Sequence, residues 1–231
     1  MSEITISALE PRLQKQVESA RAAFERGRHD HTIEAAAAVL KEQPSCLSVR
    51  RMLRAAQLKQ ASEKSSFGRF MANVSTAPFV FGGSRQMKEQ PLAAVACADK
   101  LLLRDVHNVA ALVLLGEAAT GLGWNETAVF AYEAALELEP DRPFLMLSLG
   151  HALLAAGRAP EAVKAAQKVL FDQPDNADAE MLLRNASVAA TMAKGKWEQA
   201  GDYRGKLHDG AKGAQSGQST RLTGELPAPQ G

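Results

Sequence analysis

The chain has 231 residues, 46% of them hydrophobic, and 27 Lys and Arg balance 26 Asp and Glu to a net charge of +1. That length suits one sizeable core or an extended array. The balanced charge lacks the basic excess of a phosphate-binding domain, and two Cys exclude a disulfide scaffold. Aromatic residues are 5% and Ala contributes 42 residues; Ala is the strongest helix former and a weak strand former, so the composition predicts an all-α protein.

Residues 1–12 open the chain without the basic region and apolar run of a secretory signal. Residues 13–46 read as two helices with a turn at Gly27; Ala20, Thr32, Val39, Leu40 and Pro44 mark the pattern. Residues 47–74 begin with an amphipathic helix over 47–62, its apolar positions at Val49, Leu53, Ala56 and Leu58. Their second half is too short and irregular for a standard helix, so 47–74 is a degenerate unit. Four of the eight Phe (Phe67, Phe70, Phe79 and Phe81) fall close together here. They close a gap in the packing, or form an exposed patch for a partner, or touch a membrane surface. Residues 75–108 carry Phe81, Gly82, Ala94, Leu101, Leu102 and Val106, with the turn at Glu89, Gln90 and Pro91.

Residues 109–142 and 143–176 align without gaps at a spacing of 34. Leu115 and Gly116 fall on Leu149 and Gly150, Gly123 on Gly157, Ala128 on Ala162, and Pro140 on Pro174. Each unit predicts two helices: Gly123 and Gly157 supply the left-handed residue that ends the first, and Pro140 blocks extension of the second. Asn125 is the expected N-cap of a helix over 126–137, and Pro160 opens its counterpart. Small residues at Gly116, Ala128, Gly150 and Ala162 mark places where helices approach closely. If Leu149 is buried, truncating it to Ala costs about 2–5 kcal/mol. Residues 177–193 form one more amphipathic helix, suited to capping a stack. Residues 194–231 are a C-terminal extension. Trp197 and Tyr203 either fold back on the cap or form a linear motif, and the Gly-, Ser- and Pro-rich stretch after about 208 has little to bury.

These residues resemble the tetratricopeptide repeat (TPR) family, whose period is 34 residues, in forms found in bacteria. The Leu-Gly pair, Tyr132 in the second helix, the small Ala and the closing Pro carry the resemblance; Leu112 and Met146 stand where the family often has Trp. The resemblance implies a right-handed superhelical α-solenoid of about five helix pairs, one degenerate, plus a capping helix over 13–193. It also implies a groove, lined mainly by first helices, that holds a peptide or helix of a partner. Carried onto this chain, the groove positions include Arg21, Phe24, Arg51, Phe79, Met87, Val113, Glu117, Phe144, Leu147, His151, Met181 and Asn185. The basic residues do not follow the family's clamp for a terminal carboxylate, and the C-terminal half is apolar, which favours an apolar or amphipathic partner segment.

No catalytic constellation accompanies this pattern: no phosphate-binding glycine motif and no zinc-protease motif occurs. His29, Asp30 and His31 are adjacent, lack a third ligand at metal spacing, and read as a polar turn near a helix start. His151 lies on an apolar helix, either interior or facing the groove. Cys46 and Cys97 read as small buried apolar residues. The expectation is a cytoplasmic, non-catalytic scaffold or adaptor, with no cofactor, no nucleic-acid partner and no membrane span, since the longest apolar stretches fall short of roughly 20 residues. The alternative is a structural protein whose repeats self-associate into homo-oligomers.

Overall fold

The computed structural model describes residues 2–63 and 90–194. Among the described residues all regular structure is helical. A single 3-10 turn (Ile6–Ala8) precedes α1 (Pro11–Glu25), α2 (His29–Glu42), α3 (Leu47–Glu63), α4 (Pro91–Arg104), α5 (Val109–Leu122), α6 (Asn125–Leu138), α7 (Pro143–Ala155) and α8 (Ala159–Asp172). A ninth helix, α9, covers residues 177–194. The chain divides into two units, Met1–Ala186 and Ser187–Gly231; of the second, residues 187–194 are described and are helical. The Phe67–Phe81 cluster, the Trp197–Tyr203 block, and the groove positions Phe79 and Met87 lie outside the described residues.

Neighbours in sequence are neighbours in space. α1 packs on α2 and α2 on α3; α4 packs on α5, and the succession continues through α8. The first-to-second-helix turns share one backbone solution. Gly27, Gly123 and Gly157 have φ of +72°, +72° and +78°. The residue after each glycine donates its N–H into the preceding helix: Arg28 to the Ala23 carbonyl (2.9 Å), Trp124 to Ala119 (2.8 Å) and Arg158 to Leu153 (2.8 Å). Nothing lies within 4 Å of a Cβ built at these glycines, so backbone conformation and not space requires them.

The expected cap at Asn125 is not formed. The helix starts one residue earlier than read, with Trp124 at its N-cap, and the Asn125 amide donates to the Ala155 carbonyl at the end of α7 (2.9 Å). A carboxylate from far upstream does the capping instead. Glu3 accepts from the Thr127 N–H (2.7 Å), the Thr127 hydroxyl (2.5 Å) and the Glu126 N–H (3.3 Å). Asparagine caps do occur one repeat boundary away: Asn108 accepts from the Ala111 N–H (2.9 Å) and Asn176 from the Ala179 N–H (3.0 Å).

Two apolar cores result. One gathers Leu9, Leu13, Val17, Ala36, Val39, Leu40, Cys46, Val49 and Leu53 from the N-terminal segment and α1–α3. The other runs from Ala94 and Val95 on α4 through Leu112, Leu115, Trp124, Tyr132, Leu149 and Leu153 to Ala186 on α9. Leu149 is buried, as the repeat requires. Between the cores α3 presents buried polar side chains. Arg50 pairs with Asp99, Arg54 donates to the carbonyls of Val106 (2.9 Å) and Ala134 (3.5 Å), and Gln57 donates to Leu102 (2.9 Å). The joint between the cores is therefore made by long donors reaching backbone acceptors, each of which would cost free energy if left unpaired.

Candidate functional site

The first helices α5, α7 and α9 carry a ladder of equivalent positions. Val113, Leu147 and Met181 stand 34 residues apart, and so do Glu117, His151 and Asn185. On α7 the residues Phe144, Leu147, Ser148 and His151 share one face at i, i+3, i+4 and i+7, while Leu145, Leu149, Ala152 and Leu153 turn into the core. The outward face is unusually apolar: Phe144 is 59% exposed and Met181 60%. Leu147 and Val113 are half-buried, and Glu117, His151 and Asn185 are exposed. His151 is thus not an interior histidine; its helix face looks outward.

Tyr132 ties this face to the second helices. Its ring lies directly over Gly116, where an added Cβ would fall 2.6 Å from the ring. Its hydroxyl passes between α5 and α7 to the hydroxyls of Thr120 and Ser148. Burial, and then the nearby Glu117 carboxylate, push the phenol up to about 12. At the matching place in the next repeat the second helix carries Ala166, and Leu182 of α9 fills the space over Gly150 instead. The two repeats reach the same close approach with different side chains.

The remaining predicted positions are not drawn into this ladder. Arg21 is exposed on α1 and pairs with Glu25 of its own helix (3.6 Å). Phe24 is half-buried, its ring tilted against His29 at 5.6 Å between centroids. Arg51 is exposed on α3 and lowers the pKa of Glu133 on the second helix α6, against the burial that raises it. His29, Asp30 and His31 form the first turn of α2. His29 lies 3.3 Å from the Glu63 carboxylate and Asp30 accepts from Gln60, so the cluster docks the end of α3. Among the described residues no group of three or more His, Cys, Asp or Glu side chains is placed to hold a metal ion. Nor is any described helix long and apolar enough to cross a membrane.

On the outer side, Arg158 after Gly157 grips Glu161 through two bonds (2.7 and 2.6 Å) and lies within 3.7 Å of Glu126 and Glu133. This network raises the Arg158 pKa and lowers that of Glu161, and it locks the α7–α8 turn to α6. Sequence reading missed this hub, the Glu3 cap and the buried arginines of α3. Only Arg158 carries a local signal, an acidic residue three positions on.

The comparisons with known proteins agree with the glycine junctions. The sequence model of the tetratricopeptide repeat matches residues 123–186. This stretch belongs to the tetratricopeptide-repeat family. It takes in α6, α7, α8 and the part of α9 up to Ala186, and the same turn geometry recurs upstream of it at Gly27. Among solved structures, a thermophilic TPR protein from Thermus thermophilus aligns at 19% identity over 76% of this chain and 99% of its own, with a TM-score of 0.36. No curated protein matches the chain. Tetratricopeptide repeats generally mediate protein–protein interaction and are generally non-catalytic.

Proposed function

We propose that the chain is a non-catalytic adaptor that holds an apolar or amphipathic protein segment against the first helices α5 and α7 and residues 177–186 of α9. The observation that carries this reading is the exposure of Phe144 and Met181 on a face whose repeats place equivalent side chains every 34 residues. Aromatic and Met side chains are enriched at the centres of protein interfaces. The face is held in shape by the Tyr132 hydroxyl bridge, so binding does not first require ordering it. Glu117, His151 and Asn185 supply a polar margin beside the apolar row. Arg21, Phe24 and Arg51 stay candidates for contacts on the N-terminal helices, and the cytoplasm is the compartment this reading fits.

The test is affinity capture from native extract with the whole chain. Phe144→Asp plus Leu147→Asp abolishes capture while helicity by circular dichroism is unchanged. Phe171→Asp, on the second helix α8 where the side chain is 87% exposed, leaves capture intact. Equal capture by all three proteins rejects the reading. Self-association is the second reading; exposed apolar side chains on both α7 and α8 favour it, and sedimentation at several concentrations decides it, a strict monomer excluding it.

A further inference from the structure

A cavity of about 690 Å³ lies between α2 and α4, away from the first-helix ladder. Its floor comes from three places in the chain: Leu40 of α2, Leu53 of α3 and Trp124 at the start of α6, all buried. Its walls include Leu92 and Leu103 of α4, which are 43% and 44% exposed. The size falls within the range of small-molecule sites, roughly 300–1,000 Å³. A standard protein interface buries roughly 800 Å² per partner, more than a recess of this size offers by itself.

The mouth is charged, and its charges are not equivalent. Two acids and two lysines line the cavity: Glu42, Asp99, Lys41 and Lys100. Glu42 is taken by Arg12 (2.5 Å), and Asp99 is taken by Arg50. Neither lysine makes an ion pair among the described residues, and both are exposed. The opening therefore offers two uncommitted ammonium groups above an apolar floor that ends on an indole.

We infer that this cavity binds a single-chain fatty carboxylate, its tail against Leu40, Leu53 and Trp124 and its head between Lys41 and Lys100. The tail gains by leaving water, and the head meets positive charge at the solvent boundary where it stays hydrated. A cationic amphiphile of the same length meets like charge at the same place. The inference does not depend on the adaptor reading, because it uses a different face of the molecule.

The experiment uses the full chain carrying Trp197→Phe, which leaves Trp124 as the sole tryptophan. Myristate is titrated below its micelle concentration and followed by Trp124 emission and by calorimetry. The expected result is a saturable change with one site per chain. Lys41→Glu plus Lys100→Glu weakens binding at least tenfold, and Ala96→Phe, which fills the cavity from an exposed wall position, abolishes it. Tetradecyltrimethylammonium binds at least tenfold more weakly than myristate. All variants are first checked for unchanged melting, which their exposed positions predict. The absence of saturable binding overturns the inference. So does equal affinity for the two amphiphiles, an unchanged affinity in the folded lysine variant, or displacement only by an acidic amphipathic peptide.

Discussion

Two glycines one repeat apart separate the rigid from the yielding parts of the packing. A Cβ at Gly116 would lie 2.6, 2.8 and 2.9 Å from three atoms of the Tyr132 ring. That ring has little room to move: it is 96% buried, and its hydroxyl is held between Thr120 and Ser148. A Cβ at Gly150 would lie 2.5 Å from the Leu182 Cδ2, the free end of a flexible chain, and 3.4 Å from the Ala165 Cβ. Replacing a helical glycine by alanine favours the helix by roughly 1 kcal/mol. Overpacking a rigid neighbour costs about 1–3 kcal/mol, and three sub-contact distances place Gly116→Ala at the upper end. Gly116→Ala should therefore destabilise the protein by about 2 kcal/mol, and Gly150→Ala should change stability by less than about 1 kcal/mol. Urea denaturation followed by circular dichroism measures both. In a Tyr132→Ala background, Gly116→Ala should turn stabilising, because the obstructing ring is gone, and the double-mutant cycle isolates that coupling. Equal effects of the two glycine substitutions, or a coupling near zero, would refute the packing argument.

Other consequences can be measured in the same way. Arg54→Ala removes the donor to the Val106 and Ala134 carbonyls and should cost about 2–3 kcal/mol in urea; Arg54→Lys should not restore it, because an ammonium cannot replace the planar fork. Glu3→Ala should cost about 1 kcal/mol through loss of the cap on α6, and a melt unchanged from wild type would remove that cap from the account. The fold favours the neutral phenol of Tyr132, with its pKa moved from 10 to about 12. That contribution is complete below pH 10 and lost as pH rises to 12, up to about 2.7 kcal/mol. Tyr132→Phe should flatten the fall in unfolding free energy between pH 10 and 12; an unaltered alkaline fall would contradict the burial of that hydroxyl.

The fold was legible wherever a residue acts through its own backbone or its nearest turn. Gly27, Gly123 and Gly157 declare helix ends because only glycine takes their φ without strain, and Pro160 declares a start because it lacks the N–H that a first turn leaves unused. The ladder of Val113, Leu147 and Met181 follows from the 34-residue spacing alone. Long-range polar contacts leave no such trace. Glu3 reaches Thr127 across more than half the chain, and Arg50 and Arg54 look like ordinary surface residues of an amphipathic helix until the second core lies against them. Asn125 shows the opposite failure: a residue suited to capping was drawn to the Ala155 carbonyl, because Glu3 already satisfied the helix start. The cavity between α2 and α4 was invisible for the same reason, since its floor is assembled from α2, α3 and the α5–α6 turn.

Hydrogen–deuterium exchange of the whole chain, with and without a partner captured in a Phe144- and Leu147-dependent manner, tests the central claim directly. Protection is predicted on the first helices α5 and α7, at residues 109–122 and 143–155, with the second helices α6 and α8 unchanged. Protection confined to residues 125–138 and 159–172 would contradict it.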